Sequence, residues 1–102
     1  MTFMAFELGA LDADLAAAVG NDPVLIEELR EALIHSAKHH ADLLSRSRCD
    51  ANWSVAAHRL KGLAASFSAR GLQDAANLAL KSAPGDPVAL RKVERAVAML
   101  AG

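Results

Sequence analysis

Apolar side chains in this chain recur every three or four residues, and no convincing stretch alternates with period two. The clearest run is Ile26, Leu29, Leu33, Ala37, Ala41 and Leu44, one stripe along a predicted helix that opens at Asp22-Pro23 and ends near Arg48. Asp22 supplies a capping carboxylate, and Pro23 suits the first helical position, where a missing N–H costs nothing. Ahead of it a first helix is expected from about Leu8 to Val19, with Gly20 as its C-terminal stop. Behind it the segment Cys49-Asp50-Ala51-Asn52 reads as a loop that offers caps to a third helix, which runs toward Ser68 or Arg70. Leu72, Ala75, Ala76 and Ala79 form a short fourth stripe, broken by Ser82-Ala83-Pro84-Gly85-Asp86-Pro87. Asp86 and Pro87 then open a last helix whose inner face carries Leu90, Val93, Val97 and Leu100.

This pattern predicts an all-α protein, an antiparallel four-helix bundle with a short additional N-terminal helix across one end. At 102 residues the chain is read as a single domain over residues 1–102, without internal repeats or low-complexity linkers. Its six glycines are dispersed, so nothing resembles a glycine-rich phosphate loop. Eleven basic residues stand against twelve acidic ones and the two are mixed along the chain, which argues against nucleic acid as a partner. The mildly basic stretch from Lys38 to Arg48 reads as a helix end whose cations favour the helix dipole. Cys49 is the only cysteine, which excludes an intramolecular disulfide. No apolar run is long enough for a membrane span and the start lacks the features of a signal peptide, so a cytoplasmic location is expected, with no membrane association.

The third helix carries the chemistry. A helix turns about 100° per residue, so with His58 at zero, Lys61 falls near 300° and Gly62 near 40°. Ser54, Val55, Ala65 and Ala69 share roughly that direction, within about 60°, and none of them is large. Trp53, Leu60 and Phe67 point the other way, with Ala56, Ala57 and Ala64 between them, so the core face lies opposite His58. Gly62 costs about 1 kcal/mol relative to alanine inside a helix, a penalty that suits a place where a partner approaches closely. A neutral imidazole is a competent nucleophile at neutral pH, and a lysine one turn away can stabilise charge on a transferring phosphoryl group. Arg59 and Arg70 flank this face as solvated or docking residues, and Ser66 either helps orient the imidazole or caps a turn.

The string Ala57-His58-Arg59-Leu60-Lys61-Gly62, followed by Ala69 and Leu72, resembles the signature of histidine-containing phosphotransfer (HPt) domains of bacterial two-component phosphorelays. Upstream, Phe6 to Leu15 and Gly20-Asn21-Asp22-Pro23 look like that family's opening helix and turn, so the resemblance covers most of the chain. Two positions depart from it: Ser68 stands where the family usually has a second glycine, and Leu63 where it often has a small polar residue. The resemblance implies a phosphorelay intermediate that accepts a phosphoryl group on His58 from a receiver-domain aspartate and passes it to another receiver. Lys61 would stabilise the phosphoryl charge, and Arg59, Gly62, Ala65, Ser66 and Ala69 would form the partner-binding surface. The implied partners are response-regulator receiver domains and a hybrid histidine kinase. The protein itself would be a phosphocarrier without kinase activity or a cofactor, the Mg²⁺ belonging to the receiver. A single docking face suggests a monomer.

Two other readings compete. A helical adaptor would bind receiver domains without being phosphorylated, and Ser68 and Leu63 are its sequence support. A metal-binding bundle would use His35 and His39, four apart on one helix face, with Asp42 nearby. No further residue completes such a site, so His35 and His39 are expected as solvated surface residues and His40 at the core edge. No metal is expected. Trp53 is expected in the core or at the helix entry, and Phe67 as a core anchor.

Overall fold

A computed structural model describes residue 13 and residues 15–101. The expected helix start at Leu8 and the stretch from Phe6 to Asp12 lie outside the described residues, but residues 15–19 are helical and Leu15 is fully buried. Gly20 ends this segment at φ +77°, a left-handed conformation that suits glycine. Four helices follow: α1 (Pro23–Arg46), α2 (Asp50–Ser66), α3 (Arg70–Leu80) and α4 (Pro87–Ala101). No strand occurs among the described residues. Helix α1 packs on α2 and α4, and α3 packs on the same two. The short connections turn the chain back at each end, giving an antiparallel four-helix bundle behind a short N-terminal helix.

Local chemistry explains the boundaries. Asp22 Oδ1 accepts from the backbone N–H groups of Val24 at 2.9 Å and Leu25 at 3.4 Å, with Pro23 at the first helical position. Asp86 repeats the arrangement for α4, accepting from Val88 N–H at 2.9 Å and Ala89 N–H at 3.2 Å. Helix α1 stops at Arg46, two residues before the expected end, because the Ser47 hydroxyl donates to the Leu43 carbonyl at 2.8 Å and ties off the last turn. Asp50, Ala51 and Asn52, expected in a loop, are the first turn of α2, where the Asp50 carboxylate favours the positive end of the helix dipole.

The core is small-residue packing. Leu33, Ala37, Ala41 and Leu44 from α1 meet Trp53, Ala56, Ala57, Leu60 and Ala64 from α2, while α3 gives Leu72, Ala75, Ala76 and Ala79. Ala89, Val93, Ala96, Val97 and Leu100 complete it from α4, with Ile26, Leu29, Phe67 and Leu90 partly buried around it. Trp53 does more than fill space, since its indole N–H donates to the Ala79 carbonyl at 2.7 Å and joins α2 to α3.

Helix α2 ends earlier than the sequence suggested. After Ser66 the chain passes through Phe67 to Ser68, whose φ of +53° is left-handed, and the Ala69 N–H returns to the Ala64 carbonyl at 2.9 Å. This is a Schellman turn, and it tucks Ala69 against the core beside Ala64, both essentially inaccessible. Serine at φ above zero costs about 1–2 kcal/mol, so a glycine at position 68 would serve the backbone rather than close helix packing.

Two stability outcomes follow from this arrangement. Leu60 is fully buried, so Leu60→Ala should cost about 2–5 kcal/mol in urea unfolding; a loss below about 1 kcal/mol would place Leu60 outside the core. Ser68→Gly relieves the left-handed strain but adds freedom to the unfolded chain, so it should stabilise by about 0.5–1 kcal/mol. A destabilised Ser68→Gly variant would mean that the serine side chain itself holds the turn.

Candidate functional site

Because Trp53, Ala57, Leu60 and Ala64 are all buried, the 3.6-residue period of α2 leaves the opposite face to solvent. His58 is exposed on that face, more than two turns in from either end of α2, where the helix is held by its neighbours on both sides. Among the described residues no hydrogen bond or ion pair engages its ring. Its two nitrogens are therefore open to an incoming group.

The surroundings match most of what the helical spacing indicates. Gly62 is exposed, and a Cβ built there would meet nothing within 4 Å. Neither packing nor an unusual backbone angle accounts for a glycine at this point of α2. Ala65 is exposed beside it and Arg59 is exposed on the other flank. Lys61 is half-buried rather than fully solvated, so its aliphatic stem lies along the bundle surface, and among the described residues its ammonium enters no ion pair.

One expectation is corrected. Ala69 does not share the exposed face, because the helix ends at Ser66 and the Schellman turn carries Ala69 into the core. The exposed Ser66 hydroxyl donates to the Gly62 carbonyl at 2.9 Å, so it closes a turn of its own helix rather than orienting the imidazole. Leu63 packs partly buried against the core and Ser68 lies in the turn, so neither departure from the family pattern sits beside His58. His35 and His39 are exposed, and among the described residues no group of three His, Cys, Asp or Glu is placed to hold a metal ion.

One feature escaped the sequence reading. Beside the His58 face, α1 and α2 leave an open groove of about 680 Å³ where His39, His40, Leu43 and Arg46 meet Val55 and Arg59. The signal was present as two aligned rows, His39-Leu43-Arg46 and Asn52-Val55-Arg59, each at three- and four-residue steps. Only the helix pairing shows that the rows face one another. His40 lies half-buried in this groove, at the core edge as expected, with its ring 5.3 Å from that of His39. Its Nδ1 is buried, without a hydrogen-bond partner among the described residues. Burial, the neighbouring His39 and the Arg59 guanidinium together hold the His40 pKa below the ordinary histidine value.

Compared with family models, with curated proteins and with solved structures, the chain matches none. Among the described residues no helix is long and apolar enough to cross a membrane.

His40 links this geometry to stability. Its folded pKa is depressed, so the unfolded chain binds the proton more readily. The stability is present above the unfolded pKa and is lost as pH falls through the folded value. Urea unfolding between about pH 7.5 and about pH 5.5 should therefore show a decline on acidification that His40→Gln makes shallower. Identical slopes in the two proteins would show that the buried ring carries no such penalty.

Proposed function

We propose that this protein is a phosphorelay intermediate of the histidine phosphotransfer type, with His58 as the phosphoacceptor. The observation that carries this reading is the pairing of an exposed, unengaged His58 with Gly62, whose missing side chain leaves open space and fills no structural need. In the reaction, the lone pair of an imidazole nitrogen of His58 attacks the phosphorus of an aspartyl phosphate on a receiver domain. The bond between phosphorus and the carboxylate oxygen breaks, the carboxylate leaves with its electron pair, and a phosphoramidate remains on the ring. Attack by a second receiver's carboxylate reverses these steps and returns the imidazole. Receiver-bound Mg²⁺ would supply charge neutralisation from the partner's side.

This chain's own contribution is positioning. The rigid middle of α2 presents the ring, and Gly62 and Ala65 let the partner's surface come close. The half-buried stem of Lys61 limits where its ammonium can lie, which suits a charge aimed at the equatorial oxygens. Arg59 and Ser66 border the docking surface. The protein acts in the cytoplasm as a monomer between a hybrid kinase and response regulators, and carries phosphate without making it.

The test is transfer from a receiver phosphorylated on its aspartate. His58→Gln should keep the helical content and abolish acid-labile labelling, whereas label persisting on the variant would sink the assignment. The adaptor alternative predicts receiver binding with no label on the wild-type protein. Lys61→Ala should slow transfer at saturating receiver by about tenfold to a thousandfold, the order seen when one stabilising charge is lost. An unchanged rate would make Lys61 a surface residue only.

A further inference from the structure

We propose that the groove between α1 and α2 docks an acidic, leucine-bearing segment of a partner protein. The protein as a whole is nearly neutral, with a formal charge of −1, yet among the described residues every ionisable side chain lining this groove is basic or a histidine. Arg46 and Arg59 provide fixed positive charge, one from each wall. The nearest carboxylate along α1, Asp42, meets Arg46 at 2.7 Å but does not line the groove. That pair is exposed, so it holds Arg46 only weakly against competition. Arg59 enters no ion pair among the described residues and stands on the opposite wall.

The groove is also apolar where it needs to be. Leu43 and Val55, which are 37% and 54% exposed, flank it from α1 and α2, and Ala56 lies between them. Exposed aliphatic side chains beside the unpaired Arg59 and the weakly held Arg46 fit an amphipathic segment, with its apolar side chains on Leu43 and Val55 and its carboxylates on Arg59 and Arg46. The space is an open trough between two helices, suited to a chain segment rather than to an enclosed small molecule. His40 also lines the groove, and among the described residues its buried Nδ1 has no hydrogen-bond partner. This surface lies next to the His58 face without including His58, so its occupancy does not rest on phosphoryl transfer.

The experiment is amide chemical-shift mapping of the full chain, unphosphorylated and without any receiver. The probe is a synthetic capped peptide of glutamates interspersed with leucines. Controls are the matching lysine-leucine peptide, and free glutamate with inorganic phosphate. Saturable shifts should concentrate at residues 39–46 and 52–59 with the acidic peptide alone. Arg59→Glu, an exposed change that should leave the circular dichroism intact, should weaken binding by about tenfold or more, and added salt should weaken it further. Val55→Ser should weaken it as well. Equal binding of the lysine peptide would overturn the proposal, as would saturation of the groove by free glutamate or phosphate at the same concentration. So would shifts that arise from protein concentration alone, which indicate a second copy of this chain, or the absence of any localised shift. Because no phosphoryl group enters the experiment, its failure leaves the phosphorelay reading standing, and the reverse also holds.

Discussion

The structure depends on how helix α2 divides its surface. Trp53, Ala57, Leu60 and Ala64 enter a core that α1, α3 and α4 complete, and the indole of Trp53 is bound to the α3 backbone. With 3.6 residues per turn, fixing those four positions inward leaves no freedom about which residues face out. His58, Gly62 and Ala65 are exposed because rotating α2 to cover them would expose Leu60 and Trp53 and break the tie to Ala79. Burial of one face thus holds a reactive side chain on the other, and the exposed ring is placed by packing several ångströms away. An alanine-rich core suits this use, since small side chains let the helices approach closely and give the central one little room to turn.

Much of this was legible in the amino-acid order because the signals were local and redundant. The Asp-Pro pairs at 22–23 and 86–87 mark helix starts with two independent cues, and both caps form as expected. The α1 and α3 stripes were legible because strict helical spacing and burial agree. The parts that were not legible depend on backbone conformation or on helix pairing. Ser68 carries no turn signal of the kind glycine gives, so helical periodicity runs past the true end of α2 and assigns Ala69 to a face that stops at Ser66. The α1–α2 groove is a property of two helices together and appears on neither helical wheel alone.

In the proposed relay the site and the groove would divide the labour that a carrier of phosphoryl groups requires. Transfer between proteins needs little covalent chemistry from the carrier, and gains most from orientation and from charge near the moving oxygens. An imidazole that nothing among the described residues engages, beside a half-buried lysine, would provide the reacting part. Selectivity for a partner must come from surfaces that flank the ring without crowding it. The side of α2 that bears Arg59 and Val55 would be such a surface, cationic in a protein whose formal charge is −1.

His58 is set apart from the other three histidines by the open space at Gly62, one turn along its helix. Treating the wild-type protein with the small donor phosphoramidate removes docking from the problem and leaves only the reactivity of each ring. Mass-spectrometric mapping under neutral conditions, with a parallel acid treatment, locates the product. One phosphoryl group is expected, on His58, stable in base and lost in acid. Comparable modification of His35 and His39, which are equally exposed, or none at His58, would contradict it.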